Sequence, residues 1–143
     1  MIVKAILAAK GSEVISIEPT ATLETAVRTL AERRIGALLV LGPDRRLIGI
    51  LSERDIVRVL AEQGAAALKQ PLSQVMTRKV VTCGQSDSVN VLMERMTTGK
   101  FRHLPVAEGD KVIGLVSIGD VVKYRLQEME QEHAAMRDYI QTA

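Results

Sequence analysis

The sequence predicts a mixed α/β (α+β) fold made of two related halves, and two observations carry that prediction. The first is an internal repeat: Gly49-Ile-Leu-Ser52-Glu-Arg-Asp55-Ile-Val returns as Gly114-Leu-Val-Ser117-Ile-Gly-Asp120-Val-Val, an offset of 65 (52 to 117). Upstream the offset is 66, pairing Val14 with Val80, Leu38 with Leu104 and Val40 with Val106, so one residue is missing from the second copy's loop. The second observation is the succession of hydrophobic periods in each copy: short strand, helix, strand, turn, strand, helix. One half alone would bury too little surface to be stable. Two halves that close their apolar faces on one another form a single body, with clefts related by a pseudo-twofold axis.

In the first copy, Val14 to Ile17 is a short strand and Glu18-Pro19-Thr20 a turn that caps a helix through about Arg33, with Leu23, Ala26, Val27 and Leu30 on one face. Ala37-Leu-Leu-Val-Leu41 is an apolar run of strand length, Gly42-Pro43-Asp44 a turn, and Leu47 to Leu51 the returning strand. A helix from about Glu53 to Glu62 closes the unit. The connector Gln63 to Gln74, with Gly64, an alanine run and Pro71, reads as a hinge. The second copy follows with a strand at Lys79 to Cys83, a helix from about Val89 to Thr97, a strand at Phe101 to Val106, a turn at Glu108-Gly109-Asp110 and a strand at Val112 to Val116. Its closing helix runs on to around Ile140. Val122, Leu126, Met129, His133, Met136 and Ile140 form a narrow heptad-like stripe along that helix, suited either to docking on the chain's own N-terminal segment or to a subunit interface. By sequence order, residues 1–66 form the first repeat with its N-terminal segment, 67–125 the second, and 126–143 a helical extension.

Composition bounds the function. Hydrophobic residues make up 47% of the 143 and aromatic ones 2%, which leaves little surface for stacking single-stranded nucleic acid. A net charge of +2, with no basic helix, gives no support for a polyanion partner. Cys83 stands alone, so no internal disulfide or thiolate cluster forms, and its place in an apolar run suits a small core residue in a reducing compartment. The stretch Met1 to Lys10 is broken by Lys4 and followed by no cleavage pattern, and no run approaches the roughly 18 apolar residues of a membrane span. A cytoplasmic protein without a membrane partner is expected.

The repeated Gly-apolar-apolar-Ser-x-x-Asp puts a hydroxyl at the end of a strand and a carboxylate in the first turn of the following helix. Ser52 and Ser117 are good N-caps, and Asp55 and Asp120 suit the positive helix end, so capping alone accounts for the pattern. The acid, however, is the short Asp both times, whereas the reciprocal capping contact favours Glu or Gln. A carboxylate fixed at such a corner can accept hydrogen bonds from two neighbouring hydroxyls, such as a ribose diol. From Arg95 to Ala107 there is no acidic residue, while Arg95, Lys100, Arg102 and a protonatable His103 supply positive charge suited to a phosphate. A solvated edge strand is the alternative, because Pro105 cannot donate to a sheet ladder. Ile35-Gly36-Ala37 stands in the first copy where Phe101-Arg102-His103 stands in the second, so the clefts are chemically unequal unless Arg33, Arg34 and Arg54 compensate. No phosphate-binding glycine loop, paired metal-spaced histidines or nucleophile with a base is present, and no enzymatic activity is expected.

These features resemble the tandem cystathionine-β-synthase (CBS) domain pair, or Bateman module, from about Val3 to Arg125. The phrases Leu51-Ser-Glu-Arg-Asp-Ile-Val and Phe101-Arg-His-Leu-Pro-Val are similar to those of small stand-alone bacterial CBS-pair proteins. The resemblance implies β-α-β-β-α units packed through their sheets, and adenosine-containing ligands, AMP foremost, with ADP, ATP, NAD(H) or S-adenosylmethionine as alternatives, held in clefts built from both copies. It assigns ribose to Ser52, Asp55, Ser117 and Asp120, and phosphate to Arg102 and His103, to which the charge pattern adds Arg54 as a further phosphate candidate. The same resemblance places Thr20, Ile35, Gly36, Ala37, Asp87, Phe101 and Gly119 along the base and cleft walls. It also implies a homodimer. Without an attached enzyme, channel or transporter domain, the module's target would be another protein or would be absent.

Overall fold

A computed structural model describes residues 1–142. In chain order the elements are α1 (Val3–Lys10), β1 (Ser16–Ile17), α2 (Leu23–Arg33), β2 (Ala37–Leu41), a 3-10 turn (Pro43–Arg45), β3 (Leu47–Ser52), α3 (Glu53–Gln63), a 3-10 segment (Gly64–Lys69), α4 (Leu72–Val75), α5 (Val89–Gly99), β4 (His103–Glu108), β5 (Lys111–Ser117) and α6 (Ile118–Thr142). The two copies share one plan. In the first, β1 runs parallel to β2, and β2 antiparallel to β3; in the second, β4 pairs antiparallel with β5. The expected strand at Lys79 to Cys83 is reduced to a single parallel bridge from Cys83 to Val106, equivalent to the pairing of Ile17 with Val40.

Helix ends follow local chemistry. Thr22 rather than the Glu18-Pro19-Thr20 turn caps α2, its hydroxyl accepting from the Thr25 N–H at 3.3 Å, and Ser88 does the same for α5 through Val91 at 3.2 Å. Both helices stop at a basic residue in the left-handed conformation, Arg34 (φ 54°) and Lys100 (φ 57°). These two positions correspond under the 66-residue offset, so each copy turns out of its first helix with a cation at the corner.

Two hydrophobic cores form, and they do not divide at the connector. The first gathers Leu23, Ala26, Leu30, Leu38, Val40, Leu51 and Val59 with Ala67, Leu72, Val75 and Met76. The second gathers Cys83, Val89, Leu92, Met96, Leu104, Val106, Val116, Val121 and Tyr124 with Val3, Ile6 and Leu7. The segment 67–76, which sequence order gives to the second repeat, therefore completes the first core. The N-terminal helix α1, which sequence order gives to the first repeat, completes the second. The connector is no hinge: Ala67 and Leu72 are fully buried there, each such leucine contributing roughly 1.5–3 kcal/mol by leaving water.

The exchange is symmetrical in detail. A Cβ on Gly49 would lie 2.5 Å from the Met76 sulfur, and one on the equivalent Gly114 would lie 2.7 Å from a Leu7 methyl carbon. Only glycine lets these incoming side chains lie flat on the strands. Along β2, Leu38 and Val40 enter the first core, while Ala37 and Leu39, on the opposite face, are also buried. The second repeat meets the first at both ends of its hairpin, where Leu47 N–H donates to the Asp110 carbonyl at 3.1 Å and Gly36 lies against His103.

The long helix α6 buries Val121 and Tyr124 against the core that holds α1. Its stripe does not dock on the N-terminal segment: Val122, Leu126, Met129, Met136 and Ile140 are all exposed, and so is His133.

Candidate functional site

Both Ser-x-x-Asp corners form complete capping boxes. At the first, the Ser52 N–H donates to Asp55 Oδ2 at 2.9 Å, the Ser52 hydroxyl donates to the same oxygen at 3.1 Å, and the Asp55 N–H donates back to the hydroxyl at 3.3 Å. The second repeats this with Ser117 and Asp120 at 2.9, 3.0 and 3.3 Å. Asp is thus long enough for the reciprocal contact, and its choice over Glu does not count against capping.

The carboxylates differ in their remaining partners. Asp55 Oδ1 accepts from the Thr77 hydroxyl at 3.0 Å and from Arg58 at 3.1 Å. Asp120 Oδ2 accepts a third bond, from the Lys10 ammonium at 2.6 Å. Burial raises the Asp120 carboxyl, but the Lys10 and Ser117 bonds outweigh it and hold the group below the ordinary range.

Two clefts open between the copies. The larger, of about 450 Å³, is lined by Ser52, Arg54 and Asp55 from the first corner, by Thr77, Lys79, Val80 and Val81, and by Lys100, Phe101, Arg102 and His103 from the second copy. Five cationic or protonatable side chains thus face two acids, Glu53 and Asp55. Arg54 also donates to the Lys100 carbonyl, tying the two copies together across the cleft. The smaller cleft, of about 350 Å³, is lined by Lys10, Glu13, Ile15, Arg34, Ile35, Gly36, Ala37, His103, Leu115 and Ser117. Gly36 and His103 line both clefts and form the wall between them. Burial pushes the His103 pKa down, against the pull of Glu53 and Asp120, with Lys10 and Arg102 lowering it further, so the ring is neutral at pH 7. The permanent cations of the larger cleft are Arg102, Lys100, Lys79 and Arg54.

Several of the residues singled out in the sequence lie elsewhere. Thr20 is exposed in the turn before α2 and lines neither cleft. Asp87 closes its own turn, accepting from Gly84 N–H at 2.7 Å and Arg95 at 2.9 Å, which together hold its carboxyl low. Gly119 points into the first turn of α6 beside the Ser117 hydroxyl, and Asp120 sits behind Lys10, so neither lines the smaller cleft. Sequence reasoning missed Thr77, Lys79 and Lys10. Thr77 reaches Asp55 only because α4 packs on the first core, a contact that the order of the repeats conceals. Among the described residues no group of three or more His, Cys, Asp or Glu side chains is placed to hold a metal, and no helix is long and apolar enough to cross a membrane.

Comparison with known proteins places this geometry. The family model for the CBS domain matches residues 3–62 and 72–127. The mitochondrial CBS domain-containing protein CBSX3 of Arabidopsis thaliana is 35% identical over 124 residues, which cover 84% of this chain and 60% of that protein. The chain spans 22% of another Arabidopsis relative, CBSCBSPB1, to which it is 32% identical. Among solved structures, the CBS-domain protein ATU1752 from Agrobacterium tumefaciens superposes with a TM-score of 0.84 at 44% identity, covering 87% of this chain and 99% of that one. PAE2072 from Pyrobaculum aerophilum, solved in complex with AMP, superposes with a TM-score of 0.74 at 27% identity over 84% of this chain and 89% of that one. With both copies matched in register, each carrying its Ser-x-x-Asp corner on the same strand-to-helix turn, the chain belongs to the CBS-domain family.

Proposed function

We propose that the protein is a regulatory module that binds an adenine nucleotide, AMP foremost and ADP, ATP or NAD(H) as alternatives, in the larger cleft, and conveys occupancy to a partner protein or to a dimer. One observation carries this reading. The cleft sets an acceptor carboxylate at a strand-to-helix corner opposite Lys79, Lys100 and Arg102, so a sugar diol and a phosphate are met within one space of about 450 Å³. That volume falls within the usual span of roughly 300–1,000 Å³ for small-molecule sites. Every oxygen of Asp55 has protein partners, and the Thr77 hydroxyl, which lines the cleft with it, is the partner that a ribose hydroxyl meets there. Val80 and Val81 supply apolar wall for the base. The AMP complex of the Pyrobaculum relative supports the choice of ligand.

Occupancy changes output only through unequal affinity for two arrangements of the molecule. The contact between Arg54 and Lys100 spans the copies at the cleft mouth, and a phosphate recruiting either residue alters it. The exposed stripe on α6 gives a homodimer or a target a surface to read.

A ligand-independent scaffold is the second reading, favoured by the fact that each Ser-x-x-Asp corner is fully satisfied as a cap. Calorimetry and thermal unfolding with AMP, ATP and NADH separate the two, on wild type and Asp55→Ala. A ligand at 100 times its dissociation constant adds about 2.7 kcal/mol of stability. The sensor reading requires that shift for wild type and its loss in Asp55→Ala; indifference of wild type to all three nucleotides leaves the scaffold.

A further inference from the structure

We propose that Lys10 closes the smaller cleft to a ribose diol, so that the chain takes one nucleotide, at the Asp55 cleft. The inference rests on the nucleotide reading and adds the residue that sets its stoichiometry.

The argument starts from a mismatch between the copies. Ile2 bridges Ser88, and Pro71 bridges Thr22, and since Thr22 and Ser88 correspond, so do Ile2 and Pro71. Leu7 and Met76, each five residues further on, cover the equivalent glycines Gly114 and Gly49. The offset there is 69 (7 to 76), yet it is 66 by Val14 and Val80. The segment from Leu7 to Val14 is therefore three residues longer than its counterpart from Met76 to Val80, and α1 runs on to Lys10, four residues or just over a turn past Ile6, the counterpart of the last residue of α4.

Each copy treats its carboxylate accordingly. The chain leaves α4 at Val75, Met76 is extended, and Thr77 bridges Ile50 in both directions at 2.9 Å, with its hydroxyl on Asp55 Oδ1. At the second corner the extra turn of α1 carries Lys10 to the equivalent strand position. Its ammonium donates to the carbonyl of Leu115, the counterpart of Ile50, at 2.9 Å, and to Asp120 at 2.6 Å. One side-chain cation takes the place of the backbone N–H on the strand carbonyl and meets the carboxylate on Oδ2, beside the Ser117 cap, whereas the Thr77 hydroxyl meets Asp55 on Oδ1.

The consequence for access follows from what faces each cleft. Asp55 lines the larger cleft, and its cation Arg58 does not. Lys10 lines the smaller cleft, and Asp120 does not. A diol entering the smaller cleft meets Lys10 before Asp120, and to take the carboxylate it must replace an ion pair, in which both partners are charged, by a bond in which only the acceptor is. Removing the lysine leaves Asp120 capped by Ser117 and open to the cleft.

The test is binding stoichiometry of AMP by calorimetry and equilibrium dialysis on the full chain, for wild type, Lys10→Met and Lys10→Met/Asp120→Ala, with Lys10→Gln as a second opening variant and circular dichroism to verify folding. One AMP per chain is expected for wild type, two for Lys10→Met and for Lys10→Gln, and one again when Asp120 is also removed. Two per wild-type chain, or one for both opened variants, overturns the proposal. Binding of one AMP by Lys10→Met but none by wild type keeps the latch and refutes the assignment to the Asp55 cleft. Absence of binding in every variant defeats both.

Discussion

Truncating Leu72 to alanine separates a connector that swings from one that packs. Leu72 is fully buried beside Leu23, Ala26 and Ala67, and its backbone N–H donates to the Ala21 carbonyl at 2.8 Å, so the site has little freedom to collapse. Loss of the transferred methyl groups plus the residual cavity then costs about 3–5 kcal/mol. For a chain of 143 residues, each kcal/mol lowers the melting temperature by roughly 2–4 °C, so a fall on the order of 10 °C is expected. Urea unfolding followed by far-UV circular dichroism measures the free energy directly, and the slope m should stay constant. Lys69→Ala, exposed three residues earlier, is the control and should lie within about 0.5 kcal/mol of wild type. Ile6→Ala should match Leu72→Ala in cost, although it lies in the N-terminal segment, because it is fully buried in the second core. A loss below about 1 kcal/mol for Leu72→Ala, the value proper to a solvated hinge, would refute the exchanged cores.

Two further outcomes follow from titrating groups. His103 is held neutral in the folded protein, its pKa lying below the ordinary 6.5, so the unfolded chain binds more protons as pH falls; stability from this group is present above about pH 6.5 and is lost as pH drops through the folded value. Unfolding free energies measured from about pH 7.5 down to pH 5 should decline, and His103→Gln should flatten that decline; equal slopes would refute the burial account. Burial first, and then Asp87, pushes the Cys83 thiol up to about 11, so it should resist a disulfide reagent at about pH 8 until urea exposes it. Rapid labelling of the native chain would show that the thiol is accessible.

The repeat, the strands from Ala37 and Leu47, the helices after each Ser-x-x-Asp and the long terminal helix were all legible along the chain, because period, caps and turns are encoded within a dozen residues of one another. The Ser52 and Asp55 corner and the cationic strand at Arg102 were legible for the same reason. What tertiary structure decided was which segment completes which half. Leu72 and Ile6 show the same apolar character whichever core they enter, and long-range contacts select the exchange: Met76 on Gly49, Leu7 on Gly114, and backbone bonds such as Leu72 to Ala21 and Val3 to Asp87. That choice brought Thr77 to Asp55 and Lys10 to Asp120. It thereby made two corners of the same Ser-x-x-Asp pattern unequal, because a carboxylate's chemistry is set by the charge placed against it from distant chain.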